Sequence, residues 1–109
     1  MTRIYLFCAG GMSTSLLSAA MTKTAQAHNL DVEIKAFSQR LVEQIVDEQH
    51  PEVIMLGPQI KYLYDTFNEK YGDQCAISLI DQMDYATANG DKVLKTAIVA
   101  LKEFRAIHQ

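Results

Sequence analysis

Arg3-Ile4-Tyr5-Leu6-Phe7-Cys8-Ala9-Gly10-Gly11-Met12-Ser13-Thr14-Ser15-Leu16-Leu17 decides the reading of this chain. Arg3 to Cys8 is rich in β-branched and aromatic residues and stops at a glycine pair, the pattern of a buried strand running into a turn. From Ser13 the apolar spacing becomes helical. Leu16, Leu17, Ala20 and Met21 fall on one face until His28-Asn29 breaks the pattern, and Ser13 is the expected N-cap. A strand, a glycine loop and a helix therefore follow one another within the first 29 residues.

The same alternation continues toward the C-terminus. Asp31 to Phe37 sets Val32, Ile34 and Ala36 against Asp31, Glu33 and Lys35, as an edge strand with one wet face does. Leu41, Val42, Ile45 and Val46 predict a helix capped by Ser38 and closed before Pro51. Val53 to Leu56 is uniformly apolar and ends at Gly57-Pro58, which predicts a central strand covered on both faces. Ile60, Leu63, Tyr64, Phe67 and Tyr71 predict a third helix ending at Gly72. Cys75 to Ile80 is the fourth strand; after Asp81 and a short connection through Tyr85, Asn89 or Gly90 opens a last helix with Leu94, Ala97, Ile98, Leu101 and Phe104 inward.

This β-α-β-α-β-α-β-α order calls for an α/β fold of three layers: a four-stranded parallel open sheet, order 2-1-3-4, with right-handed crossovers and helices on both faces. Ligands of such sheets sit beyond the carboxyl ends of the strands, where strand order reverses. The loop at Cys8 occupies that place. At 109 residues the chain suffices for one core and is read as a single domain, 1–109.

Composition narrows the function classes. The chain is 49% hydrophobic and 21% charged with a formal net charge of -3, so it has no basic footprint for nucleic acid or an anionic membrane surface. Its apolar runs are too short for a bilayer, and Met1 leads directly into a strand with no signal peptide pattern, so a cytoplasmic location is expected. Cys8 and Cys75, at opposite ends of non-adjacent strands, are both read as thiols, Cys75 as a core residue.

The chemistry concentrates in Cys8 to Ser15. Gly10 and Gly11 permit positive φ and let backbone N–H groups turn toward one point. Ser13, Thr14 and Ser15 bring hydroxyls to a helix N-terminus, which together make an anion site. Cys8 faces the same donors, and a helix N-terminus favours the thiolate, so the thiol is placed as a nucleophile toward a phosphorylated donor. No metal-ligand cluster and no cofactor is expected. Four other readings of Cys8 stand beside this one: a small apolar residue closing a strand, a redox or disulfide-exchange thiol, which lacks a second cysteine at the usual spacing, a silent cysteine in a regulatory anion-binding module, and a phosphatase nucleophile.

The strand-loop-helix unit resembles that of the cysteine-based, low-molecular-weight tyrosine phosphatases, which use Cys, five residues, Arg, then Ser or Thr. Here Thr14 stands at the arginine position, followed by Ser15, so the bidentate clamp on the phosphoryl oxygens is missing. Phosphate binding is retained in that pattern, but rapid hydrolysis is not supported.

Three stretches carry a closer resemblance: Tyr5 to Ser15; Leu56-Gly57-Pro58-Gln59-Ile60-Lys61-Tyr62; and Asp81 to Tyr85 before a helix containing Val93-Leu94-Lys95. Across essentially the whole chain the sequence resembles the IIB component of the bacterial sugar phosphotransferase system, in its lactose, cellobiose and chitobiose family. That resemblance implies that Cys8 takes phosphate from a phosphohistidine of the EIIA protein and passes it to a disaccharide held by the membrane-embedded EIIC transporter. Ala9, Gly10, Gly11, Met12, Ser13, Thr14 and Ser15 would form the loop around it, and the domain would be peripheral to the membrane through EIIC. The pair Gly10-Gly11 departs from members with one small residue and one glycine, and Asp73 to Ile80 matches no motif.

Other residues have weaker claims. Gln59 shares the carboxyl edge with Cys8 and serves either phosphate or partner binding or the cap of the next helix. Tyr85 reaches the same edge. Asp81 and Asp84 also lie there, but carboxylates repel a phosphorylated thiol, so capping and loop structure are expected of them. Met12 at the loop crest suits docking to a partner. His28, His50 and His108 fall at helix ends or the tail.

Overall fold

The structure, a computed structural model, describes residues 1–10 and 12–108, the side chains of Met12 and Ser13 excepted. Strands β1 (Thr2–Cys8), β2 (Val32–Ser38), β3 (Val53–Leu56) and β4 (Ala76–Leu79) form one sheet in the order β2-β1-β3-β4. All three pairings are parallel. The helices are α1 (Met12–Ala27), α2 (Val42–Gln49), α3 (Tyr64–Tyr71), α4 (Gln82–Ala86) and α5 (Gly90–Ile107). The expected α/β architecture and strand order are both present.

Alternation along β1 sorts the core into two layers, because successive side chains of a strand point to opposite faces. Ile4 and Leu6 pack with Leu17, Met21, Val93, Leu94, Ala97 and Leu101 of α1 and α5. Tyr5 and Phe7 pack with Val42, Ile45, Val46, Phe67 and Tyr71 of α2 and α3. β3 does the same with Val53 and Met55 on one side and Ile54 and Leu56 on the other, all fully buried. Phe37 of β2 closes the second layer, with its ring centroid 5.2 Å from Tyr5 and 5.7 Å from Phe7.

Four local expectations are corrected. Leu16 is 72% exposed, because the inward stripe of α1 runs through Leu17, Met21 and Ala25, spaced by four, and leaves Leu16 on the outer side. The helix after Ser38 starts as a 3-10 turn, Gln39–Leu41, with the Ser38 hydroxyl accepting from the Arg40 N–H at 3.4 Å. The segment after β3 is likewise 3-10 over Pro58–Leu63, where Pro58 fixes the start and Ile60, at φ -119° and ψ 22°, prevents a continuous helix into α3. The connection after β4 contains α4, whose N-cap carboxylate, Asp81, accepts from the N–H groups of Met83 and Asp84 at 3.0 and 3.1 Å.

α5 begins where the two helices of one layer touch. A Cβ on Gly90 would lie 2.5 Å from the Ala20 carbonyl carbon, so only glycine lets the α5 start meet the α1 backbone. The Asn89 side chain caps α5 by accepting from the Lys92 N–H at 3.2 Å.

At the amino edge of the sheet a polar cluster ties β1, β2 and α2 together. The Tyr5 hydroxyl, in a fully buried side chain, donates to Glu33 and lies 2.8 Å from Gln49 Oε1. Arg3 donates to the Gln49 carbonyl and, with Lys35, flanks Glu33 at 3.8 and 3.7 Å. The Tyr5 hydrogen bond, aided by Lys35 and Arg3, holds the Glu33 carboxyl below the usual carboxylate range. A lowered folded-state pKa contributes stability that is present above the unfolded glutamate value and lost as pH falls through the folded one. Tyr5→Phe is therefore expected to lower stability by about 1–2 kcal/mol at neutral pH and to shrink the acid-side loss, as read by thermal melts across pH 3 to 7, about the range in which carboxylates titrate. An unchanged acid limb would remove Glu33 from this account.

Candidate functional site

The parallel register delivers four chain segments to one edge of the sheet. Cys8 ends β1 and pairs with Ser38 at the end of β2, and Phe7 pairs with Leu56 at the end of β3. The Gly57 N–H donates to the Phe7 carbonyl at 2.9 Å and the Ile80 N–H to the Leu56 carbonyl at 2.9 Å, so the ladder continues to the rim. Cys8 lies beside both neighbouring strands, where the order reverses.

Cys8 is only 3% exposed, and its Sγ lies 3.2 Å from Thr14 Oγ1. Thr14 itself is fully buried in the first turn of α1. Six positions apart in sequence, the thiol and the hydroxyl are brought together because β1 ends and α1 begins on the same face of the sheet. The positive end of the α1 dipole points into this turn, as a site for an anion requires. Thr14 holds the place of the phosphatase arginine and turns its hydroxyl to the sulfur.

Three further loop residues are described and face solvent. Ala9, Gly10 and Ser15 are exposed. Gly10 does not use the positive φ its type permits, and a Cβ built on it would meet nothing within 4 Å. Its turn is thus made in ordinary backbone space. Gly11, the side chain of Met12 as a docking group and the Ser13 N-cap lie outside the described residues.

Gly57 is the close neighbour of Cys8 on the β3 side. A Cβ there would stand 3.0 Å from Gln59 Oε1 and 3.3 Å from Cys8 Cβ, so Gln59 and Cys8 converge across a glycine. Gln59 is not the cap of the segment that follows: the N-cap position is Gly57, with no side-chain cap bond. Tyr85, half-buried on α4, lies with Gln59 on a cleft of about 430 Å³. Lys61 and Gln82 share that cleft; sequence reading met both only within the stretches that carry the family resemblance and gave neither a role of its own.

The carboxylates at this edge are engaged locally. Asp81 caps α4, and Asp84, buried, pairs with Lys92 Nζ at 3.7 Å. Cys75 precedes β4 at the opposite end of the sheet, 1% exposed, with its Sγ donating to the Tyr71 carbonyl at 3.5 Å. Burial, and to a lesser degree Glu52, pushes the Cys75 thiol up to about 12, so it stays protonated. The two sulfurs are not joined. Among the described residues no cluster of three or more His, Cys, Asp or Glu is arranged to hold a metal ion, and no helix is long and apolar enough to cross a membrane.

Comparison with known proteins agrees with this geometry. The family profile described as "PTS system, Lactose/Cellobiose specific IIB subunit" matches residues 3–96. The oligo-beta-mannoside-specific EIIB component of Bacillus subtilis (strain 168) is 34% identical over 100 residues, covering 90% of this chain and 94% of that protein. The cellobiose-specific EIIB component of Lactococcus lactis subsp. lactis (strain IL1403) is 36% identical over 98 residues, covering 86% and 91%. Among solved structures, the cellobiose-specific phosphotransferase IIB component from Borrelia burgdorferi superposes with a TM-score of 0.75 at 33% identity, covering 94% of this chain and 93% of that one.

Proposed function

Because the chain belongs to the lactose/cellobiose-specific IIB subunits of the phosphotransferase system, we propose that Cys8 is its phosphoryl carrier, loaded by EIIA and unloaded onto a sugar presented by EIIC. IIB components are phosphotransferases that work between those two partners. The finer reading is that a phosphohistidine is the donor and that a disaccharide of the cellobiose, chitobiose or lactose class is the acceptor, with the whole chain acting as one cytoplasmic domain. The contact between Cys8 Sγ and Thr14 Oγ1, 3.2 Å long at a helix N-terminus, is the observation that supports Cys8 as the carrier residue.

In the first step the sulfur attacks phosphorus and an S–P bond forms as the histidine N–P bond breaks. The imidazole nitrogen keeps the bonding pair and takes the thiol proton. In the second, a sugar hydroxyl attacks the same phosphorus, an O–P bond forms, the S–P bond breaks, and the hydroxyl proton restores the thiol. Charge on the phosphoryl oxygens is met by the helix terminus and loop donors in both directions. With the sulfur 3% exposed, the donor must come down onto the loop beside Gly10, where space is open.

Thr14 in place of arginine supports a carrier over a hydrolase, since the fork that would hold the oxygens during attack by water is absent. Incubation with phosphorylated EIIA, followed by peptide mapping, is expected to find one iodine-sensitive phosphothiol at Cys8 and little turnover of p-nitrophenyl phosphate. Label on a histidine, or brisk hydrolysis, would overturn the reading.

A further inference from the structure

We infer that the side-chain amide of Gln59 is a hydrogen-bond donor to the oxyanion beside Cys8, reaching the phosphoryl group on sulfur from the β3 flank; this rests on the phosphocarrier reading above. The loop Ala9 to Ser15 and the α1 N-terminus hold that group on one side only. Gln59 completes the ring of donors from another strand.

The register of the sheet puts the amide there. Phe7 pairs with Leu56, and the Gly57 N–H donates to the Phe7 carbonyl at 2.9 Å, so Gly57 stands next to Cys8 one position further along the parallel ladder. Partnered residues of adjacent strands project to the same face. Phe7 and Leu56 both pack in the layer of α2 and α3, so Cys8 and the empty side-chain position of Gly57 both face α1, the side from which Thr14 meets the sulfur. A Cβ built on Gly57 would lie 3.3 Å from Cys8 Cβ and 3.0 Å from Gln59 Oε1. The Gln59 amide thus folds back over Gly57 and borders the place of the side chain that glycine lacks, with the thiol on the other side of the same point.

Gly57 is needed for this space and not for its torsions, since φ -63° and ψ 156° are extended values open to any residue. A glutamine that met only a docking partner would need no glycine beneath it. Gln59 is exposed, and among the described residues no hydrogen bond holds its side chain. Its last torsion is broad and two-fold, so a turn of the amide presents Nε2–H in place of Oε1. A carboxylate of the same shape would repel the phosphoryl oxygens; the amide holds one of them as a neutral donor.

The phosphorylated chain, free of its partners, carries the test. The Gln59 side-chain amide signals are expected to shift when Cys8 is loaded. Gln59→Met keeps the length of the side chain and removes the donor, and it is expected to raise the midpoint of the phosphothiol's second ionisation by about one pH unit, read by phosphorus resonance, because the lost hydrogen bond favoured the more charged form. The phosphoryl equilibrium between EIIA and this variant is expected to move about tenfold toward EIIA. Gly57→Ala, whose methyl group crowds the amide away, is expected to reproduce both shifts with Gln59 still in the chain. A weaker affinity for EIIA with an unchanged phosphothiol ionisation would make Gln59 a docking residue, and no change in any of these would leave it without a role; each result overturns the inference. A native chain that never loads at Cys8 refutes the carrier reading instead. In that event titration of the unphosphorylated chain with inorganic phosphate decides the amide: saturable shifts of the Gln59 side-chain signals, lost in Gly57→Ala, support it, and their absence ends it.

Discussion

Cys8→Ser is expected to reduce phosphoryl loading by at least ~10³-fold while leaving the fold in place. The substitution exchanges one atom at the end of β1. The oxygen still meets Thr14 Oγ1, which lies 3.2 Å from the sulfur in the native chain, so the buried hydroxyl keeps a hydrogen-bonding partner. What is lost is nucleophilicity: a neutral serine hydroxyl is a far weaker nucleophile than a thiol, and the nearby carboxylates are engaged elsewhere, Asp81 as a helix cap and Asp84 with Lys92. Intact-mass measurement after incubation with phosphorylated EIIA reads the gain of one phosphoryl group. Cys75→Ala is the matched control. Its thiol is 1% exposed at the other end of the sheet, and removing it takes away core volume but no chemistry. A serine variant that loads as the native chain does, or a Cys75 variant that does not load although folded, would displace the phosphate from Cys8.

Cys8 was readable because strand, glycine loop and helix leave unmistakable changes of period in a short stretch, and the fold around it for related reasons. The run Val53 to Leu56 has no polar residue, which only a strand covered on both faces tolerates, and it proved to be β3 between β1 and β4. Alternation in β2 gave its place at the edge. Shorter elements were less visible. Five residues of α4 are too few to show a helical period, and the break at Ile60 depends on how the chain leaves Pro58 and has no composition signal. Leu16 and Leu17 are chemically alike, so only the packing of α1 on the sheet tells which is core.

Within the site the same distinction holds. Sequence spacing placed Thr14 in the loop but not its direction, because a residue in the first turn of a helix can face solvent, sheet or loop. The cleft was beyond reach for another reason: Gln59 and Gln82 line one cleft only because parallel pairing brings the ends of β3 and β4 side by side. Gly10 shows the opposite case: its type permits positive φ, yet at this position the absent side chain contributes open space and no unusual torsion.

Thr14→Val should cost loading about 10- to 100-fold, more than the ~1 kcal/mol it takes from the fold. Valine matches the shape of threonine at this fully buried position, but it removes the hydroxyl and the hydrogen bonds that hydroxyl makes, at a cost to the resting fold of about 1 kcal/mol. The sulfur, however, carries its greatest negative charge as phosphate arrives and departs, and a hydrogen bond to a charged group is worth ~1.5–3 kcal/mol, against ~0.5–1.5 for a neutral pair. Loss of the Oγ1 to Sγ contact at 3.2 Å thus weighs more on the transition states than on the resting fold. Thr14→Ser supplies the discriminating arm. It restores the hydroxyl but removes the methyl group, so a positioning role predicts recovered loading in a less stable protein, whereas a purely packing role predicts the reverse. Rates of Cys8 loading and melting temperatures of the three chains decide between them. An arginine has no room at this fully buried position, and on the proposed carrier reading a threonine here favours transfer of the phosphoryl group over its loss to water.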